Sequence, residues 1–177
     1  MRRSTSGVGR GHKTPLTDGV PLAKGGADRF CRLNERLPEL LEALRAQSPM
    51  PRGTGVTFPE TPGVYLLSED GLPVYVGQTR NLRRRLAQHG AAAGRENQAT
   101  FAFNRARNEA RASGIDVARS RRELAMDPRF EALFRQHRQR VARMAIRAVM
   151  VKEPELRTVF EVYASVMLGT ENSFETH

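Results

Sequence analysis

Gly63-Val64-Tyr65-Leu66-Leu67, then Asp70-Gly71, then Val74-Tyr75-Val76-Gly77: these fifteen positions, 63–77, decide how the chain folds. Two short runs of β-branched and aromatic residues around an Asp-Gly pair predict a β-hairpin. Its register decides the chemistry, because side chains alternate across a strand with a period of two. An odd loop, Ser68 to Leu72 or Leu67 to Pro73, sets Tyr65 directly opposite Tyr75 with both phenols on one face. A two-residue turn at Asp70-Gly71 places them on opposite faces instead. The sequence leaves both registers open.

Beyond the hairpin, Thr79 is a suitable helix N-cap, and a helix is expected from there to Gly90. Leu82 and Leu86 form its buried stripe, while Arg85 and His89, four apart, share the neighbouring one. Residues 90–147 hold thirteen Arg against six acidic residues. Within them helices are predicted near Gln98–Ser113, stopped by Gly114, and near Asp127–Met144. Ala145–Glu153 alternates weakly and suggests a third strand. Pro154 suits a first helical position, and Leu156, Val159, Phe160, Tyr163, Val166 and Met167 follow at helical spacing, with an end near Gly169. Glu161 lies at the margin of that stripe. A short polar tail closes the chain, and there is no internal repeat.

Toward the N-terminus, a Pro- and Gly-bearing linker runs from Pro49 to Pro62. Residues 28–47 place Phe30, Leu33, Leu37, Leu40, Leu41 and Leu44 at helical spacing, with Pro38 expected to kink or divide the segment. Residues 1–27 read as a disordered basic arm. The expected organisation is therefore the arm at 1–27, a helical extension and linker at 28–61, and a catalytic-size domain at 62–177 with a basic helical insertion at about 90–144. The expected fold is an α/β (α+β) sandwich, a small three-stranded antiparallel sheet flanked by helices.

The formal charge of +10 and a pI near 11.0 point to a polyanionic partner. Nucleic acid is the default, since each phosphate neutralised by Lys or Arg releases condensed counterions. Ribosomal and membrane-surface proteins share this balance. Lysine occurs only at Lys13, Lys24 and Lys152; the arginine bias suits bidentate phosphate contacts and equally a genome rich in G and C. The lone Cys31 forms no internal disulfide and fits a reducing cytoplasm. No apolar run reaches the roughly 18 residues a membrane span needs, and no apolar segment follows Arg2 and Arg3, so neither a span nor a secretory signal is expected.

Taken together these residues resemble the GIY-YIG nuclease family. Gly63-Val64-Tyr65 matches its first signature tripeptide and Tyr75-Val76-Gly77 its second. The following segment, Gln78-Thr79-Arg80-Asn81-Leu82-Arg83-Arg84-Arg85-Leu86, resembles the family's arginine-bearing helix, with Arg85 at the signature position. His89 matches a histidine found one turn later in several members. Glu161 and Asn172 match a metal-binding glutamate on a later helix and the asparagine that follows it. The resemblance implies a metal-dependent endonuclease acting on DNA, with Mg2+ (or Mn2+) held by Glu161. In one departure, Gln78 stands where some members, such as the excision-repair nuclease, have lysine, which leans the reading toward restriction- and homing-type relatives.

The chemistry asked of these residues is consistent with that resemblance. Phosphodiester hydrolysis needs an activated water, a sink for charge on phosphorus and help for the leaving 3′ oxygen; a hard cation on a carboxylate supplies the last two. Arg85 would fork onto a non-bridging phosphate oxygen. Tyr65 is the candidate general base, oriented or assisted by Tyr75 and His89, with Tyr75 an alternative in that role. A free phenol titrates at about 10, so the base would need its pKa depressed by Arg85 or a cation. Asn172 would fix the Glu161 carboxylate or contact phosphate. His137 and His177 read as surface residues. A catalytically idle nucleic-acid-binding module that keeps the fold is the alternative, and an RNA-binding structural protein a third reading. One site cuts one strand, so double-strand cutting would require a homodimer or sequential nicks.

Overall fold

The hairpin forms, and its third neighbour completes the sheet. In the computed structural model, which describes residues 20, 22–50, 57–90 and 99–170, β1 (Gly63–Glu69) is the central strand, with β2 (Leu72–Thr79) and β3 (Ala145–Met150) antiparallel on either side. The helices are α1 (Gly26–Glu35), α2 (Leu37–Ala46), α3 (Leu82–Gly90), α4 (Thr100–Ala112), α5 (Arg121–Met126), α6 (Pro128–Arg143) and α7 (Pro154–Leu168). Side chains of β1 alternate between two cores. Tyr65 and Leu67 join Tyr75 against α3, α4 and α6, whereas Val64 and Leu66 join Val76 against α2 and α7. The sheet is thus covered on both faces, which is why β1 is buried from Gly63 to Ser68.

The register resolves in a way neither expected alternative described. The turn is the two-residue Asp70-Gly71, with φ of 51° and 81°, and Glu69 pairs with Leu72. On its own that turn would split the tyrosines between faces. The ladder slips between Leu67 and Ser68, however: Ser68 lies opposite Pro73 and Leu67 opposite Tyr75, so Val74 is an extra residue in β2. The extra residue reverses the parity. Tyr65 then lies opposite Gly77, and both phenols share one face as diagonal neighbours, with ring centroids 6.0 Å apart. Pro73, which has no N–H to donate, sits where a bulge on an edge strand tolerates it.

The helix boundaries follow local chemistry. The N-terminal helical segment divides at Arg36, and Pro38 occupies the first turn of α2. Thr79 is not the cap of α3: it belongs to β2, and its Oγ1 accepts from the Asn81 N–H at 3.1 Å. Asn81 does the capping, its Oδ1 accepting from the Arg84 N–H at 2.9 Å. Asp127 caps α6 directly before Pro128, its side chain accepting from the Arg129 N–H at 3.0 Å, and Ser120 with Glu123 closes a capping box on α5.

Two expectations about exposure are corrected. The buried face of α7 is Leu156, Arg157, Phe160, Ala164 and Ser165, while Val166 and Met167 are 67% and 57% exposed. Helical period turns Val166 away from the sheet, and Met167 lies beyond Ala164, the last buried apolar residue of that line. His137 is no surface residue: it is 5% exposed between α4 and α6, with Nε2 2.8 Å from Glu109 Oε2. Among the described residues, no helix is long and apolar enough to cross a membrane.

Gly63, where the chain enters β1, has no room for a side chain. A Cβ there would collide with the Val149 carbonyl oxygen on β3 and lie 2.8 Å from Leu82 Cδ1 on α3. Gly63→Ala must therefore move backbone, and a loss of at least about 1–3 kcal/mol is expected from overpacking. Equilibrium urea unfolding checks this; an unchanged midpoint would contradict the crowding at this corner.

Candidate active site

Tyr65 is fully buried on the central strand, yet its hydroxyl is embedded in a polar cluster. His89 Nε2 lies 2.8 Å from Tyr65 Oη, and Arg85 Nε donates to the same oxygen at 3.2 Å. Both partners come from α3, one turn apart. That helix is anchored by buried Leu82 and Leu86 and by the N–H of Leu82, which donates to the Thr61 carbonyl at 2.9 Å. Tyr75 completes the group. Its ring stacks on Phe101 of α4, with centroids 4.4 Å apart, and stands 6.2 Å from the His89 ring.

The tyrosine rings can pack this closely because Gly77 lies beneath them. A Cβ at Gly77 would fall 2.6 Å from Tyr65 Oη and 2.8 Å from Tyr75 Cε1. The glycines of both tripeptides thus have steric reasons to be glycine: Gly63 for close approach of β3 and α3, Gly77 for close approach of two phenols.

Burial pushes the Tyr65 phenol well above its usual value, and the neighbouring Tyr75 pushes it further; Arg85 pulls the other way without winning. The direction is opposite to the depression that a pre-ionised base would need. Burial thus favours the neutral phenol, and His89 Nε2 stands at hydrogen-bond distance from its oxygen.

Glu161 sits at the free edge of the sheet. It projects from α7, which packs on the face opposite the tyrosines, and its carboxylate reaches the edge of β2 beside Gly77. Oε1 accepts from the backbone N–H of Gln78 at 3.0 Å, and Oε2 from Gln78 Nε2 at 2.8 Å. A strand N–H that donates to a side chain here is one that faces away from β1. Partial burial raises the Glu161 pKa, against the pull of the Gln78 hydrogen bonds and of the Arg157 and Arg85 charges. The charge of Arg85 acts on both Tyr65 and Glu161, lowering each one's pKa. Asn172 lies outside the described residues.

Among the described residues no group of three or more His, Cys, Asp or Glu side chains converges as a metal cage. The Glu161 carboxylate is the donor at this edge. Each of its oxygens accepts one hydrogen bond from Gln78, so each keeps a lone pair for a cation. A partly desolvated carboxylate is a hard oxygen donor whose charge a divalent ion would compensate. The donor chemistry of the Glu161 carboxylate fits a hard divalent cation.

Three contributors escape the sequence reading. Gln78, read there only as a missing lysine, holds both oxygens of Glu161. Arg157, four residues before Glu161, is 6% exposed and donates from Nε to Gln78 Oε1 at 3.1 Å. An arginine inside an apolar helix stripe was the available signal. Phe101, which backs Tyr75, gave none.

Comparisons with known proteins fit this arrangement. Residues 61–143 match the family model of the GIY-YIG catalytic domain, a span that runs through the helices set apart above as an insertion and stops before β3 and Glu161. UvrABC system protein C from Deinococcus radiodurans is 44% identical over 43 residues, covering 24% of this chain and 7% of that protein. The protein of the same name from Aquifex aeolicus is 52% identical over 31 residues, 18% of this chain and 6% of the other. The chain thus matches less than a tenth of the length of these relatives. No solved structure gives a significant match.

The raised Tyr65 value has a spectroscopic consequence. The chain has three tyrosines, and in the native protein Tyr65 should remain un-ionised through pH values where a free phenol, at about 10, titrates. Its neutral form contributes stability that is complete below the unfolded value and is lost as pH rises toward the folded one. Alkaline difference spectra of wild type and Tyr65→Phe should therefore coincide until unfolding begins. A native absorbance step near pH 10 that disappears in Tyr65→Phe would contradict this.

Proposed function

We propose that this chain, which carries a GIY-YIG catalytic domain over residues 61–143, is a divalent-metal-dependent endonuclease that hydrolyses DNA phosphodiester bonds. The observation that carries the reading is the placement of Tyr65 Oη between His89 Nε2 at 2.8 Å and Arg85 Nε at 3.2 Å. A buried phenol that merely filled the core would need one hydrogen-bond partner. This one has an imidazole nitrogen on one side and a fixed cation on the other.

The proposed mechanism follows from those contacts. Tyr65 Oη takes a proton from the attacking water while its own proton passes to His89 Nε2, so no tyrosinate need exist beforehand. This requires His89 to present an unprotonated Nε2 in the resting site. Arg85 neutralises a non-bridging phosphate oxygen and steadies negative charge on Tyr65 during the transfer. Tyr75, stacked on Phe101, packs beside the Tyr65 ring, with centroids 6.0 Å apart. Asn172 is assigned to the Glu161 carboxylate or the phosphate. Glu161 would hold a divalent cation, which when bound would supply Lewis acidity to the phosphate and the leaving 3′ oxygen.

Base specificity is assigned to the helices of 90–144 and to the N-terminal segment, since phosphate contacts carry no base information. The same catalytic unit serves restriction, homing and repair. Gln78 leans the reading toward the first two, while both named relatives are UvrABC system protein C. A reducing cytoplasm is the compartment we assign, with Cys31 exposed and free.

Supercoiled plasmid with Mg2+ or Mn2+ tests the reading. Wild type should nick it, whereas Glu161→Ala should lose at least about a hundredfold in rate, the scale of one transition-state charge contact, with DNA binding retained. Linear product formed alongside nicked circles would indicate paired copies. Binding without metal-stimulated cleavage by wild type would leave a nucleic-acid-binding module, and undiminished cutting by Glu161→Ala would remove that residue from the mechanism.

A further inference from the structure

Arg157 occupies the buried face of α7, where an apolar residue is expected. A guanidinium is withdrawn from water at high cost unless its donors are satisfied, and here Nε and Nη1 make three hydrogen bonds. Nη1 donates to the carbonyl oxygens of Val151 and Lys152 at 3.2 and 3.3 Å, and Nε to Gln78 Oε1 at 3.1 Å. The Nη1 contacts pin the β3–α7 connection and are structural. The Nε contact does something else.

An amide side chain has an acceptor end and a donor end, whereas an arginine only donates. Arg157 therefore fixes which way Gln78 faces: oxygen toward the guanidinium, NH2 outward. That NH2 group donates to Glu161 Oε2 at 2.8 Å and to Thr158 Oγ1 at 3.3 Å, while the Gln78 backbone N–H secures Oε1 at 3.0 Å. The direction of donation runs one way, from guanidinium to amide to carboxylate.

We infer that Arg157 and Gln78 form a positioning relay that holds the Glu161 carboxylate at the edge of β2 for a divalent cation. The inference rests on reading Glu161 as the cation ligand. It also accounts for glutamine at position 78. A lysine there would have no acceptor for Arg157 and would bring a second positive charge against it, so Gln78 and Arg157 are matched to each other. Neither residue touches substrate; both act through Glu161.

Mn2+ binding to the full chain without DNA, followed by calorimetry, tests the relay. Groups that orient a metal ligand change affinity by about 10–100-fold. Gln78→Ala should therefore weaken Mn2+ binding about 10-fold or more, and Arg157→Lys, which keeps the charge but loses the Nε donor, should do the same. A purely structural role would lower the melting temperature and leave Mn2+ affinity alone. If Glu161→Ala loses Mn2+ while Gln78→Ala binds it like wild type, the relay is overturned and the ligand assignment stands. If Glu161→Ala binds Mn2+ normally, the ligand assignment falls, and the relay is judged on the Gln78 side-chain amide resonance of the metal-free protein. That resonance should shift in both Glu161→Ala and Arg157→Lys. An unmoved resonance overturns the relay even if Arg157→Lys folds poorly, because Glu161→Ala alone supplies the comparison.

Discussion

One additional residue in the edge strand governs the chemistry of this molecule. Without Val74 as an extra residue, the Asp70-Gly71 turn would send Tyr65 and Tyr75 to opposite faces of the sheet. With it, both phenols face the α3–α4–α6 layer, where Gly77 leaves the space they share. A bulge costs one ladder pairing and shifts every side chain beyond it to the other face. Here it converts an ordinary hairpin into a platform that offers two phenols to Arg85 and His89.

Burial then sets how those groups behave. Tyr65 lies on a strand covered on both faces, so its ionised form is strongly disfavoured and the hydroxyl stays neutral. A neutral phenol within 2.8 Å of an imidazole is suited to handing a proton on, not to standing as an anion. Glu161 is less enclosed. It remains partly open to solvent at the sheet edge, and its partial burial still outweighs the hydrogen bonds and two arginine charges that pull its pKa down. The phenol cluster thus lies inside the α3 layer and the carboxylate at the sheet rim.

Legibility in the sequence followed the range of the forces involved. Local rules located α6 from Asp127-Pro128, the end of α4 from Gly114, the division before Pro38 and the start of α7 from Pro154, because caps, prolines and glycines act within one turn. The β-branched and aromatic runs around Asp70-Gly71 gave the hairpin; Arg85, His89 and Glu161 entered as what the family resemblance implies. The bulge was not legible, since one extra residue in a strand leaves the composition unchanged and shows only against its partner strand. Thr79 lost the cap to Asn81 because β2 runs longer than its apolar run. Val166 and Met167 fitted the helical period but lie where no strand reaches. Gln78 and Arg157 find each other across 79 residues of sequence, a separation no local pattern encodes.

The same distinction between local and long-range partners bears on the positive charge. Much of the arginine surplus in 90–147 has intramolecular work. Arg105 and Arg140 both meet Glu69, Arg119 meets Asp127, and Arg121 and Arg138 each stand 4.6 Å over the rings of Phe103 and Phe134. Arg105 and Arg138 are largely covered, whereas Arg135 and Arg83 hold Glu131 and Glu60 on open surface. Exposed pairs contribute only about 0.2–1 kcal/mol, while the covered arginines stay committed to the fold. The exposed charge and the charge that builds the helical layer are therefore different subsets of one residue type. Counting arginines along the chain cannot separate them, but burial does.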